Sequence, residues 1–532
     1  MSSPEIEVTS ARRPVNVCLL RPPSVPELDV ATIDAVMPIG LAYLAGALKV
    51  SGERVHVIDA VGEAVNQYSA IPGYERTLLH GLTTPEILDR IPEDAEILGI
   101  TCMFSVEWPF IAALIREIRE RFPPLMIIMG GEHVTALPEH SLTDCPAIDV
   151  AVLGEGEETL VDLVDAYRTG RDLDTVRGIV FRRGDALVNT ATRPRIRTLD
   201  EIPEPDWSLF PVEEYMRNEV TFGPNLGRCM PVLASRGCPY QCTFCSSPQM
   251  WTTFWGVRQP EQVVAEIKRY IEQYGAKNFD FYDLTMIIRK DWIKKFCQLL
   301  IDEGLKITWQ LPSGTRSEAI DAEISQLLYT SGCRTICYAP ESGSVEELNR
   351  IRKKVKPDVM LASMREAVAN GISIKANVLF GLPGQTWLDV RETFRFIYRM
   401  ARIGVESIGA YAFSPYPGTE LFRKLVASGR IQVGPEYFRS LLSYARFHRS
   451  VSFNDNMSDR VLSIVNIAAN FYFYLLKLFF QPARISKDLT GLVRKKGSTK
   501  LALAMTHIRR RQAAAALMRK LGKSTVVINR QA

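Results

Sequence analysis

Short apolar runs begin to alternate with amphipathic stretches at Val15. VNVCLL, RVHVIDA, EILGITC, LMIIMGG and IDVAVLG have strand length, and PIGLAYLAGALKVSG and WPFIAALIREIRERF between them have helical spacing. Near-continuous apolar strands separated by helices predict an α/β fold, a doubly wound parallel sheet over residues 15–170. Gly130, Gly131, Gly154 and Gly156 follow strands, at the carboxyl edge where such sheets take ligands. A polar hairpin (RGIVFRRGDALVNT) and a linker marked by Pro194, Pro203, Pro205 and Pro211 fill residues 171–228.

The rhythm restarts with longer units. PVLASR, NFDFYD, KITWQLP, TICYAPE, SIKANVLF and SIGAYAFSP are each followed by an amphipathic stretch such as EQVVAEIKRYIEQY. Six such units predict a partial (β/α)6 barrel over 229–430, with its chemistry at the carboxyl ends of the strands. From 431 to 532 the strand rhythm stops and a helical, basic region is expected. It contains NIAANFYFYLLKLFF, which Asn466, Asn470 and Lys477 interrupt, and this argues against a transmembrane span. Arg484, Lys487, Arg494, Lys495, Lys496, Lys500, Arg509, Arg510, Arg511, Arg519 and Lys520 follow, and after Gln481 the only acidic residue is Asp488. Three readings remain open for this region. It is a helix packed on the barrel with a solvated basic tail, a peripheral contact with the inner face of a membrane through Phe471, Tyr472, Phe473 and Tyr474, or a nucleic-acid contact. The last is not expected.

Composition narrows the class. A chain of 532 residues suggests two or three domains, and 46% hydrophobic with 23% charged residues is ordinary for a soluble globular enzyme. Residues 1–14 are expected to be flexible and lack the apolar stretch of a signal peptide, so a cytoplasmic, reducing location is expected. There the ten cysteines are ligands or buried thiols rather than disulfides. Cys18, Cys102, Cys145, Cys229, Cys297, Cys333 and Cys337 are scattered, mostly in apolar runs, and read as buried thiols.

Cys238, Cys242 and Cys245 differ, because SRGCPYQCTFCSSP sets them in a CxxxCxxC loop just after the first barrel strand. Three thiolates on one tight loop suit three irons of a 4Fe–4S cubane and leave the fourth iron open. Zinc is the alternative, although a structural zinc takes four ligands, and the nearest other thiol, Cys229, lies across a strand. A closed four-cysteine cluster lacks a fourth suitably spaced ligand.

With an aromatic before its last cysteine, this loop resembles the radical S-adenosylmethionine (SAM) superfamily. FYDLT, APESGS, FGLPGQT and SPYPGTEL continue the resemblance at successive strand ends. The family implies SAM on the open iron and reductive cleavage to a 5′-deoxyadenosyl radical. It also implies SAM contacts from Phe244, Asp283, Glu341, Ser342 and Gly381. As bare patterns, Gly381 also suits a strand-to-helix turn, Asp283 a loop cap and Glu341 a structural carboxylate.

The first domain, through MPIGLAYLAGAL, ITCMFS, MGGEHVTALPE and VLGEGEETL, resembles the cobalamin-binding domain that precedes many radical SAM cores. The resemblance implies cobalamin contacts from Thr101, Ser105, Gly130, Gly131, His133, Gly154, Glu155 and Gly156. No DxHxxG motif occurs, so cobalamin without a protein histidine on cobalt is expected. A nucleotide or flavin is the competing ligand, although GxGxxG is absent as well. Together the domains imply a cobalamin-dependent radical SAM methyltransferase acting on an unactivated carbon. Its substrate is expected to be a small, hydrophobic molecule, and its reductant an external flavodoxin or ferredoxin. The alternatives are a radical cyclase or oxidoreductase resembling the anaerobic magnesium-protoporphyrin ester cyclase, and a non-catalytic cobalamin-binding protein. No catalytic side chain is singled out.

Overall fold

A computed structural model describes residues 13–30, 35–316, 319–446, 449–482 and 500–528. Arg484, Lys487, Arg494, Lys495 and Lys496 of the basic tail, and nearly all of the expected flexible N-terminus, lie outside the described residues.

The first part of the chain contributes β1 (Asn16–Arg21), β2 (Arg54–Asp59), β3 (Gln67–Ile71), β4 (Tyr74–His80), β5 (Ile97–Thr101), β6 (Met126–Gly130), β7 (Val150–Val152), β8 (Ile179–Arg183) and β9 (Ala186–Asn189). Seven of them form one sheet in the order β2-β1-β5-β6-β7-β8-β9, parallel up to β7 and antiparallel after it. Helices such as α1 (Ile39–Val50) and α2 (Trp108–Arg121) pack on it and bury Leu41, Tyr43, Leu48, Ile111 and Ile115. The apolar runs are strands here because the central ones are buried on both faces.

β10 (Cys229–Val232), β11 (Asn278–Phe281), β12 (Thr308–Thr315), β13 (Cys333–Glu341), β14 (Ser373–Phe380) and β15 (Ser407–Ala412) follow one another in an all-parallel six-stranded sheet. Along β14, Ile374, Ala376, Val378 and Phe380 are buried in the core, while the alternate Lys375, Asn377 and Leu379 are half-buried and face the lumen.

A half-closed barrel leaves β15 as an edge, with unpaired backbone groups that need partners. The helix α3 (Asp459–Phe480), capped by Ser458 accepting from the Val461 amide, covers it. The Asn470 side chain donates to the Ala410 carbonyl (3.3 Å) and accepts from its amide (3.4 Å). Lys477 Nζ reaches the Glu406 carboxylate (2.8 Å) and carbonyl (2.7 Å), and Asn466 reaches Ser450 Oγ (3.3 Å). The residues that interrupt the apolar run are thus its inward contacts. By length and composition this helix could cross a membrane, yet it packs against β15 and against α-helix Trp387–Ile403. Its outer face is also apolar, with Ile464, Ile467, Phe471, Leu475, Leu478 and Phe479 exposed. Of the four aromatics expected at an interface only Phe471 is among them. Phe473 is buried, and Tyr472 and Tyr474 pack on the core.

The C-terminal region is helical as expected, but its end is not a solvated tail. After helix α4 (Lys500–Leu521), strand β16 (Thr525–Val527) adds to the hairpin β3–β4, and neither was expected from the sequence. Arg511 is fully buried and donates to the carbonyls of Glu27 and Val30. Ala514 and Met518 pack beside Tyr68 and Leu78. A three-residue strand in a short polar-flanked run gives no periodicity to read.

Candidate functional site

The CxxxCxxC loop leaves the barrel directly after β10. Asp283, at the end of the next strand, holds its base: its carboxylate accepts from the amides of Ala234 (3.1 Å) and Ser235 (2.5 Å) and from Ser235 Oγ (2.5 Å). Burial pushes this carboxyl up to about 6. Farther along, the Thr243 amide donates to the Ile351 carbonyl and the Leu421 amide to that of Thr243, both at 3.0 Å. A loop pinned at both ends holds its side chains at low entropic cost.

Cys238, Cys242 and Cys245 are half-buried, whereas the other seven cysteines are buried. Burial raises the Cys242 thiol and pushes Cys245 up to about 12, with the neighbouring thiols also raising them and Lys353 opposing. Two buried hydroxyls on the loop, Thr243 Oγ1 and Ser247 Oγ, have no partner, and a cavity of about 280 Å³ lies against Cys242 and Cys245. Soft sulfur donors with spare polar groups and adjoining space fit an iron–sulfur cluster. Among the described residues no three His, Cys, Asp or Glu side chains group tightly enough for a single metal ion.

Two cations that sequence reasoning missed stand over this loop. Lys353 Nζ is 3.0 Å from Glu341 Oε1 and 5.9 Å from the Phe244 ring centroid. The Arg316 guanidinium lies 3.3 Å from the centre of Tyr240. Lys353 sits in an RKK run, which from sequence reads as a solvated charge cluster. Ser342 is turned inward, donating to Glu347 (2.6 Å) and accepting from the Ser344 amide (3.0 Å). Gly381 has φ +81°, and a Cβ there would stand 2.6 Å from Leu462 of α3, so this glycine admits the covering helix. The contacts drawn for Asp283, Ser342 and Gly381 are internal.

The first sheet's edge has a different make-up. Thr101 and Gly130 are register partners at the ends of β5 and β6. Gly131 (φ +104°) turns the chain under Cys102, whose carbonyl would lie 2.5 Å from an added Cβ. A Cβ on Gly130 would meet no atom within 4 Å, and on Gly154 only the Met250 carbonyl at 3.9 Å. These two glycines border space, which suits a flat ligand laid against backbone.

His133 is buried, stacked on Trp108 at 4.7 Å and edge-on to Phe438 at 5.5 Å. Its Nδ1 meets Ser105 Oγ at 2.9 Å, and Nε2 has no partner. Burial pushes the imidazole down to about 3, so it is neutral at pH 7. The Glu155 carboxylate is also committed. It pairs with Arg195 (2.7 Å) and Arg236 (3.5 Å) and accepts from the Ile196 amide, while Glu157 holds Arg236 from the other side (2.6 Å). Arg236 belongs to the strand end that starts the cysteine loop. Glu155 therefore clamps the two sheets together, and a Cβ on Gly156 would stand 3.0 Å from Leu44.

A second junction brings the two edges together. Glu132, next to Gly131, accepts a hydrogen bond from Ser246 Oγ, next to Cys245, and burial raises the Glu132 carboxyl. Gly154 faces Met250 and Gly418 faces Ala136 across the same seam.

Comparison with known proteins accounts for this pairing. A B12-binding domain model matches residues 30–164 and a radical SAM superfamily model matches residues 232–397. An uncharacterized methyltransferase of Pyrococcus horikoshii is 29% identical over 78% of this chain and 84% of its own. The anaerobic magnesium-protoporphyrin IX monomethyl ester cyclase of Cereibacter sphaeroides is 29% identical over 73% of this chain and 60% of its own. The chain belongs to the radical SAM enzymes that carry a cobalamin-binding domain. Its fold is that of the radical SAM methyltransferase TsrM from Kitasatospora setae, solved with tryptophan and a SAM analogue (TM-score 0.62, 18% identity, 90% of this chain and 99% of that one). It is equally that of the cobalamin-dependent radical SAM enzyme OxsB (TM-score 0.64, 15% identity, 96% and 81%).

Proposed function

We propose that this chain is a cobalamin-dependent radical SAM methyltransferase that alkylates an unactivated carbon of a small molecule. The observation that carries the reading is the Glu132–Ser246 junction, which sets the open glycine edge of the first sheet beside the cysteine loop. Cys238, Cys242 and Cys245 would hold the 4Fe–4S cluster, and the backbone at Gly130, Gly131 and Gly154 would cradle cobalamin. When bound, these groups supply a reducing electron, a carbon radical from SAM and a transferable methyl group.

The chain's own residues prepare that chemistry. Asp283 fixes the root of the cysteine loop. Lys353 sets a positive charge beside the thiols, which favours their thiolate form, and Glu341 holds that lysine in place. Phe244 offers an apolar face beside the loop for an adenine. Glu155 and Arg236 keep the two cofactor edges at a fixed spacing, as short-lived radicals require.

Relatives of this chain include methyltransferases and cyclases: cytidylyl-2-hydroxyethylphosphonate methyltransferase of Streptomyces wedmorensis is 25% identical over 76% of this chain. The cyclase is thus the second reading. An external flavodoxin or ferredoxin would deliver electrons, and the solvent-facing Arg352 and Arg423 beside Cys242 and Cys245 suit an acidic donor. The exposed apolar stripe of α3 makes a peripheral membrane contact part of the same proposal. Anaerobic reconstitution with iron, sulfide and cobalamin, then analysis of SAM products, tests the reading. A methyltransferase yields S-adenosylhomocysteine together with 5′-deoxyadenosine. Formation of 5′-deoxyadenosine without S-adenosylhomocysteine in the presence of substrate would favour the cyclase.

A further inference from the structure

The barrel lumen contains a cation that the site described above does not use. Lys375 projects from β14 into the lumen, and its Nζ donates to Tyr411 Oη on β15 at 3.0 Å. Among the described residues no carboxylate pairs with it. An ammonium enclosed by protein without a counter-charge is costly to keep, and such groups otherwise find partners.

The surroundings are built to receive an anion. Tyr411 accepts from Lys375, so its own hydroxyl hydrogen remains to be donated. Tyr444, on the segment Leu441–Ala445 that packs against β15, lies 5.9 Å ring to ring from Tyr411, and Tyr416 lies 6.4 Å from Tyr444. Among the described residues, neither the Tyr416 nor the Tyr444 hydroxyl has a hydrogen-bond partner. Asn377, two residues along β14 from Lys375, extends its amide to Cys337 Sγ (3.5 Å) and leaves its buried carbonyl oxygen unpaired. Lys375, Asn377, Tyr411, Tyr416 and Tyr444 are all half-buried, so each keeps surface that a ligand could meet.

The row of phenols also has a direction. From Lys375 it passes through Tyr411 and Tyr444 to Tyr416, whose phenol is pushed up by burial, by Tyr444 and by the Glu132 carboxylate at the seam of the two cofactor edges. One end of this row carries a positive charge, and aromatic rings lead from it towards the seam.

We propose that Lys375 anchors an oxyanion, a carboxylate or phosphate, of a substrate with an aromatic or otherwise apolar body, so that the far end of the molecule reaches the junction at Glu132. This deepens the methyltransferase reading and rests on it for the reaction, but the anion site itself is independent of cofactor loading.

The test uses the full chain as purified, with three probes that share one body: 4-phenylbutyrate, 4-phenylbutyl phosphate and the neutral 4-phenylbutyramide. Binding is measured by calorimetry on the wild type, Lys375→Met and Tyr444→Phe. We expect at least one of the two anions to bind tenfold or more tighter than the amide. Lys375→Met should abolish that preference and Tyr444→Phe should reduce it several-fold, both with melting temperatures near that of the wild type. Whichever anion is favoured identifies the headgroup. Equal binding of all three probes to the wild type, or an undiminished anion preference in Lys375→Met, overturns the proposal. If Lys375→Met does not fold, the preference in Tyr444→Phe decides in its place. Failure of the reconstituted wild type to cleave SAM would instead count against the enzyme reading and leave this measurement standing.

Discussion

The two cofactor edges of this molecule are made of different material. At the barrel mouth the distinguishing features are side chains: three half-buried thiols, two unpartnered hydroxyls and two nearby cations. At the first sheet they are gaps, at Gly130 and Gly154, where no side chain stands. The functional-looking side chains of that sheet, His133 and Glu155, are engaged inside the protein. A cluster needs covalent donors of one element, whereas a large flat cofactor needs room and backbone. The first requirement leaves a motif in the sequence, and the second leaves glycines that resemble any turn.

Two variants separate these kinds of site with the largest expected effects. Changing Cys238, Cys242 and Cys245 together to alanine should abolish iron incorporation and SAM cleavage while leaving cobalamin binding, read by its visible spectrum, intact. Gly130→Leu should do the reverse. A Cβ there meets no atom within 4 Å, so the melting temperature should hold near that of the wild type while cobalamin retention falls by a hundredfold or more. If Gly130→Leu still retains cobalamin, the ligand does not lie over that strand end.

The same contrast explains what could be read in advance. The two sheets and the cysteine loop were legible because apolar runs of strand length and a CxxxCxxC spacing are local signals. Lys353, Glu132 and Arg236 were not. Each is an ordinary charged residue in sequence, and its role exists only through a partner far along the chain: Glu341, Ser246 or the pair Glu155 and Glu157. For Glu155, in VLGEGEETL, the resemblance implies a cobalamin contact; its pairing with Arg195 and Arg236 could not be read from the sequence, because both partners lie far along the chain. The closing of β15 by α3 was legible only as an apolar helix, since an edge strand's need for a cover shows only in three dimensions.

The clamp itself gives the next effect. Glu155→Ala would leave Arg195 and Arg236 short of a buried counter-charge, with an expected loss of about 3 kcal/mol, read from urea denaturation. Arg236 retains Glu157, so Glu155→Gln should lose less than Glu155→Ala. If Glu155→Ala is as stable as the wild type but releases cobalamin, the residue is a ligand contact after all.

His133 sharpens the comparison further. Its imidazole is held well below the ordinary value in the folded chain and titrates near 6.5 when unfolded. Protons therefore bind the unfolded state preferentially between about pH 6.5 and 3, and its contribution to stability falls as pH drops through that window. Between pH 7 and 5 this loss should be on the order of 1–2 kcal/mol in the cobalamin-free chain. His133→Gln should flatten that part of the pH profile. An unchanged slope in the variant would show that His133 is not the group that titrates.

The smallest effect concerns the outer face of α3, which belongs to neither edge. Replacing Phe471, Leu475 and Phe479 with serine removes exposed apolar surface, so stability should change by no more than about 0.5 kcal/mol per site. If that face rests on a membrane, full-length protein should sediment with anionic liposomes at low salt, and the triple variant should remain in solution. Basic residues near such a surface contribute about 1 kcal/mol each. Their share should weaken with added salt as the Debye length falls from about 10 Å at 0.1 M to about 3 Å at 1 M. The apolar share carried by the stripe should not weaken, so partial sedimentation of wild type at 1 M salt would assign the contact to the stripe. Absence of sedimentation at low salt would leave α3 with one task, the closing of the barrel edge at Ala410, for which Asn470 and Lys477 are sufficient.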